Sequence, residues 1–174
     1  MPVASRMLAW TIVVGLTCGG GVADARSRKA ASIADTVRSW GLLGTWATDC
    51  GRPAALDNSY LSFHAGTHGS VLHRRDYGHG RDVYQVQRAI ITGDGLIDVV
   101  VDFKTLGGAR RWTLAKGADG RIRAMANSKV DGSGASIRDG RFVDSGAEAP
   151  WQTRCYDEVV STGSPGMRGA AGQA

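Results

Sequence analysis

Apolar residues recur at two different periods along this chain, and the change of period divides it. Between Arg28 and Trp40, the residues Ala30, Ile33, Ala34, Val37 and Trp40 fall on one helical stripe, with Lys29, Asp35 and Arg38 on the other side. The spacing predicts a short amphipathic helix that stops at Gly41. Beyond Gly44 the period drops to two. Ile97, Val99, Val101 and Phe103 alternate with Asp98 and Asp102; Trp112 and Leu114 alternate with Arg111 and Thr113. Ile122, Ala124 and Ala126 likewise oppose Arg121 and Arg123. Each of these strands buries one face and wets the other, as an antiparallel sheet over a single core requires.

Turn residues separate the strands: Gly66 to Gly69, Gly78 to Gly80, Gly93 to Gly95, Gly107 with Gly108, Ala118 to Gly120, and Asp131 to Gly134. Gly and Asp tolerate the positive φ that tight hairpins need. Turns every 11–15 residues or so mark an antiparallel meander of about eight or nine strands. A meander of that length tends to close, because an open sheet leaves two unpaired edges. The expected architecture is therefore mainly β, an antiparallel meander closed as a barrel of about 8–9 strands, with a short N-terminal helix; a two-sheet sandwich is the alternative.

The two ends of the chain read differently from the middle. Arg6 followed by the apolar run Met7 to Thr17 has the form of a secretory signal, and Ala23-Asp24-Ala25 is an A-x-A cleavage site. The run is too short for a membrane span, which needs about 20 residues. Cys18 as a lipidated residue is a second reading, but Gly15-Leu16-Thr17 makes a poor lipobox. The expected organisation is a cleaved signal peptide (1–25), the helix (26–41), the β domain (42–160) and a Gly/Ala/Ser tail without periodicity (161–174). No segment of the mature chain could span a bilayer as a helix, and the signal makes a periplasmic or secreted protein the expectation.

The formal net charge of +5 favours anionic surfaces, but the basic residues are spread along the chain and read mainly as a solvated surface. Export and the lack of a basic stripe argue against nucleic acid. Once the signal is gone, two cysteines remain, Cys50 and Cys155. An even pair in an oxidising compartment reads as a disulfide, with two buried thiols as the alternative.

Gly44-Thr45-Trp46 opens the first strand as a G-x-W, and Arg154 precedes Cys155 in the last. This pairing resembles the lipocalin and wider calycin barrels. The resemblance implies that Trp46 closes the barrel base and that Arg154 packs across its indole, a contact worth about 0.5–2 kcal/mol. The Cys50–Cys155 bridge would join the same two segments. The blocks Leu42 to Cys50, Asn58 to Phe63 and Trp151 to Cys155 also resemble a group of uncharacterised secreted proteins of Gram-negative bacteria, a likeness that carries no activity.

Candidate chemistry is sparse. All four histidines, His64, His68, His73 and His79, lie close in sequence, but their turn and loop positions do not converge on a tetrahedral site. No metal and no cofactor is expected. Arg74, Arg75 and Arg88 lie in or near apolar strands. Arg88 shares a face with Tyr84, Val86 and Ile90; were that face internal, it would need an acid or an anionic ligand. Asp98 and Asp102 are two apart on a solvated face and carry no mark of an acid/base pair. Gly132 to Ser136 is a turn and not a nucleophile elbow. The candidate ligand-binding residues are Tyr84, Arg88 and Trp112. The expected function is a non-enzymatic exported barrel that binds a small apolar or anionic ligand. The alternatives are a module binding an envelope or secreted protein, such as a hydrolase inhibitor, or a structural envelope protein.

Overall fold

The computed structural model describes residues 31–104 and 107–157. The expected signal peptide (1–25) and tail (161–174) lie outside the described residues, as does the start of the predicted helix. The helix α1 runs Ile33–Trp40. It starts later than the apolar stripe suggested because Ser32 caps it: the Ser32 hydroxyl accepts from the Asp35 N–H at 3.1 Å, and the Asp35 carboxylate accepts from the Ser32 N–H at 3.2 Å. This reciprocal pair satisfies two of the donors that a helix start leaves open. Gly41, at φ 86°, ends the helix as expected.

The rest is one antiparallel sheet. Its strands are β1 (Gly44–Ala47), β2 (Tyr60–Ala65), β3 (Val71–Asp76), β4 (Arg81–Ile91), β5 (Ile97–Phe103), β6 (Gly108–Lys116), β7 (Ile122–Lys129), β8 (Ile137–Arg138), β9 (Arg141–Phe142) and β10 (Thr153–Tyr156). The order across the sheet is β10-β1-β2-β3-β4-β5-β6-β7-β8-β9, a meander whose last strand returns beside the first. The expected closed barrel is not formed, since no ladder joins β9 to β10. Turns around Asp131 to Gly134 and at Asp139 and Gly140 leave β8 and β9 two residues each, too short to carry a closing ladder. Ile122, the first residue of β7, and Gln152, just before β10, exchange backbone hydrogen bonds of 3.0 and 2.8 Å.

Of the three register shifts among the described strands, those in β4 and β7 reverse which side chains face inward along the strands that follow. In β4, Val86 pairs with Val101 and Arg88 with Val100, so Gln87 is the extra residue. Partners across an antiparallel pair share a face. Arg88 therefore lies on the outer face with Val100 and is exposed, whereas Tyr84, Val86 and Ala89 face the core. The face proposed from alternation for Tyr84, Arg88 and Ile90 is broken at that point. In β7, Ala124 pairs with Leu114 and Ala126 with Thr113, so Met125 is the extra residue. Ala126 is on the outer face, and buried Asn127, opposite Trp112, takes the inward place.

The core is continuous from the helix into the sheet. Ala34, Val37, Trp40 and Leu42 pack with Val71, Val86, Ile97 and Ile122 at the helix end. Trp46, Phe63, Tyr84, Val99, Val101 and Phe103 continue it. The Trp46 indole is fully buried and donates to the Leu42 carbonyl at 2.8 Å. The Arg154 guanidinium carbon lies 4.6 Å from the Trp46 ring centre, and the guanidinium also donates to the Gly41 carbonyl. Cys50 and Cys155 are bonded, with Cα atoms 5.3 Å apart. Gly44 sits at φ 121°, and a Cβ there would come within 2.7 Å of the Tyr156 carbonyl, so β1 and β10 approach this closely only over glycine. No helix among the described residues is long and apolar enough to cross a membrane.

Candidate functional site

The inward row of β3 changes character along the strand, from Val71 to His73 to Arg75. The turn at Gly78 to Gly80 sets the register that places Asp82 opposite Arg75 and Tyr84 opposite His73. Arg75 Nε and Nη2 donate to the two carboxylate oxygens of Asp82 at 2.8 and 2.5 Å. This is a two-pronged ion pair in a largely shielded setting. The guanidinium carbon also lies 4.6 Å from the Phe103 ring centre, 5.1 Å from Tyr77 and 5.3 Å from Tyr84. Burial works against the charge on Arg75, and the Asp82 carboxylate together with the Tyr77 and Tyr84 phenols outweighs it, holding its pKa above the usual value. Burial pushes the neighbouring Tyr77 phenol up to about 12.

Beneath Arg75, His73 is fully enclosed by rings. Its centroid is 4.5 Å from Phe63, 5.2 Å from Trp112 and 6.0 Å from Phe103. Neither ring nitrogen makes a well-formed hydrogen bond. Burial, with Arg75 adding to it, drives the His73 pKa down to about 3; the Ser62 backbone and Asp82 offset this only in part. The imidazole is therefore neutral and part of the aromatic core.

Above this cluster the sheet leaves a cleft of about 250 Å³ between β2–β3 and β6–β9. Leu56, Leu61, Trp112, Leu114, Phe142 and Pro150 supply most of its apolar wall, with Arg75 and Asn127 among the polar groups. A neighbouring cavity of about 390 Å³ shares Arg75, Trp112 and Asn127 and adds Arg110 and Ser136.

Of the three candidate ligand residues, Trp112 lines both cavities, Tyr84 lies behind Arg75 with its hydroxyl 3.2 Å from Asp82, and Arg88 is outside. The three do not converge. Arg75, Asp82, Asn127 and Arg110 take the places that alternation did not assign. The signal for Arg75 and Asp82 was present, since each lies two residues outside the turn from Tyr77 to Gly80. The signal for Asn127 was hidden by the bulge at Met125. The histidines are dispersed: His73 is in the core, His64 borders an outer groove with Arg74, and His68 and His79 are in turns. Among the described residues, no group of three or more His, Cys, Asp or Glu side chains is placed to hold a metal ion.

Among the described residues, fold and site define a disulfide-bonded, mainly β protein of one antiparallel sheet and one α-helix, with an apolar cleft whose wall includes Arg75 of a shielded ion pair. Comparison of the chain with protein-family models, with curated proteins and with solved structures finds no match.

Proposed function

We propose that this is an exported, non-enzymatic binding protein that holds a small, largely apolar ligand in the cleft above Arg75. The observation that carries this reading is the cleft itself. It is concave and lined mainly by apolar and aromatic side chains, with a few fixed polar groups, the usual make-up of a small-ligand site. Asp82 holds Arg75 in place on one of its walls, and a stiff wall loses little freedom on binding. In this reading the Ile122–Gln152 bridge serves as the seam of a lipocalin-like cup, and the disulfide fits an oxidising compartment such as the periplasm.

The test is titration of the purified mature protein with the neutral apolar dye N-phenyl-1-naphthylamine, beside native mass spectrometry of protein drawn from the periplasm. One saturable dye site is expected, and it should be lost in Ala124→Phe, which fills the cleft from β7. Dye binding that is absent, or unchanged in Ala124→Phe, would overturn the proposal.

A further inference from the structure

We propose that Arg110 forms an anion-recognising end to this cleft, so that the ligand is a free single-chain amphiphile with a carboxylate or sulfate head. This rests on the cleft being the binding site and adds the class of ligand and its orientation. The charges at the mouth do not cancel. Arg75 is neutralised by Asp82, and Asp57, the carboxylate on the cleft wall, is paired with Arg52 at 2.9 Å. Arg110 is half-buried in the adjoining cavity, and its hydrogen-bond partners among the described residues are all neutral. Its Nε donates to Asn127 Oδ1 at 2.6 Å, and its Nη2 donates to the Gly134 carbonyl at 2.9 Å and to Ser136 Oγ at 3.4 Å. Nη1 takes part in none of these bonds. Arg75, Arg81, Arg121 and Arg141 each face a carboxylate instead.

The cradle is built from behind. Asn127 is only 6% exposed, and its Oδ1 also accepts from Ser136 Oγ at 3.1 Å. The guanidinium is thereby held in place before any ligand arrives, and an anion there gains a charge-assisted bond at little ordering cost. The two cavities share Arg75, Trp112, Asn127 and Ile137 as walls. A tail in the apolar cleft therefore leaves its head group on the Arg110 side. At about 250 Å³, the apolar cleft takes a short alkyl or aryl group, on the order of eight water volumes. That size favours a free amphiphile over a diacyl lipid anchored in a bilayer.

The experiment is displacement of the bound dye by octanoate, octyl sulfate and octanol, in the wild type, Arg110→Gln and Arg110→Lys. Both anions should act at concentrations about tenfold or more below that of octanol, the usual gain from a hydrogen bond to a charged group. Arg110→Gln should abolish that preference and leave octanol unchanged, and Arg110→Lys should keep part of it. Equal potency of octanoate and octanol in the wild type, or a preference that survives in Arg110→Gln, would overturn the inference while the cleft reading stands. If the dye does not bind the wild type, both fall. Arg110-dependent capture by phosphatidylglycerol vesicles without octanoate binding would overturn the free-amphiphile assignment.

Discussion

Lowering the pH from 7 to 5 is expected to destabilise the fold by about 2 kcal/mol through His73 alone. The side chain titrates near 6.5 in an unfolded chain and at about 3 in the fold, because it lies among Phe63, Phe103 and Trp112 without a good hydrogen-bond partner. Between those values the unfolded state binds a proton that the folded state refuses. Stability is therefore full above about pH 6.5 and falls as the pH drops, by about 1.4 kcal/mol per unit in the steep part. The fall reaches about 2 kcal/mol at pH 5 and about 4 near pH 3, against a typical domain stability of about 5–15 kcal/mol. The carboxylates held low by hydrogen bonds, Asp57, Asp76, Asp94, Asp119 and Asp131, add their own losses only nearer pH 4 and below. The window from 7 to 5 thus isolates the histidine. Urea unfolding across that window, with the disulfide intact, should show the slope in the wild type and in a chain with His64, His68 and His79 replaced by asparagine. His73→Leu should flatten it. The same slope in His73→Leu and the wild type, or an NMR titration finding His73 protonated in the folded protein at pH 5, would refute the reasoning.

Three further outcomes test the joint between β1 and β10. Reducing the Cys50–Cys155 bridge, which closes 105 residues, should lower stability by about 2–5 kcal/mol, read from urea midpoints with and without reductant; an unchanged midpoint would refute this. Arg154→Ala should cost about 1–2 kcal/mol by the same assay, because both the stacking on Trp46 and the bond to the Gly41 carbonyl are lost; a neutral change would mean that solvent replaces both. Gly44→Ala should cost about 2 kcal/mol or more, since alanine must accept φ 121° and crowd the Tyr156 carbonyl; a variant that melts with the wild type would show that β10 can move away.

Where the sequence was legible, local chemistry and tertiary demand agree. Gly41 ends the helix because a left-handed residue was needed there, and Gly93 to Gly95 and Ala118 to Gly120 close tight hairpins. The disulfide was legible as an even cysteine pair, and Arg154 over Trp46 was implied by the resemblance to the lipocalin barrels. Strict alternation failed at Gln87 and Met125, where one extra residue reverses the faces downstream. No propensity of Gln or Met marks such a bulge, because the partner strand and the curvature of the sheet decide it. Those two reversals put Arg88 on the outer face and Asn127 on the inner one, while the strands that carry them were found. Closure was misread for a related reason. The argument from unpaired edges holds only while strands are long enough to leave a ladder unmade, and β8 and β9 are two residues each. Short edges carry little penalty, so the sheet can stay open at that side, and the opening lies beside Ile137 and Phe142, which line the cleft. The features that defeated the pattern reading, a bulge that turns Asn127 inward and an edge too short to close, are the ones that create a cavity with Arg110 at its rim.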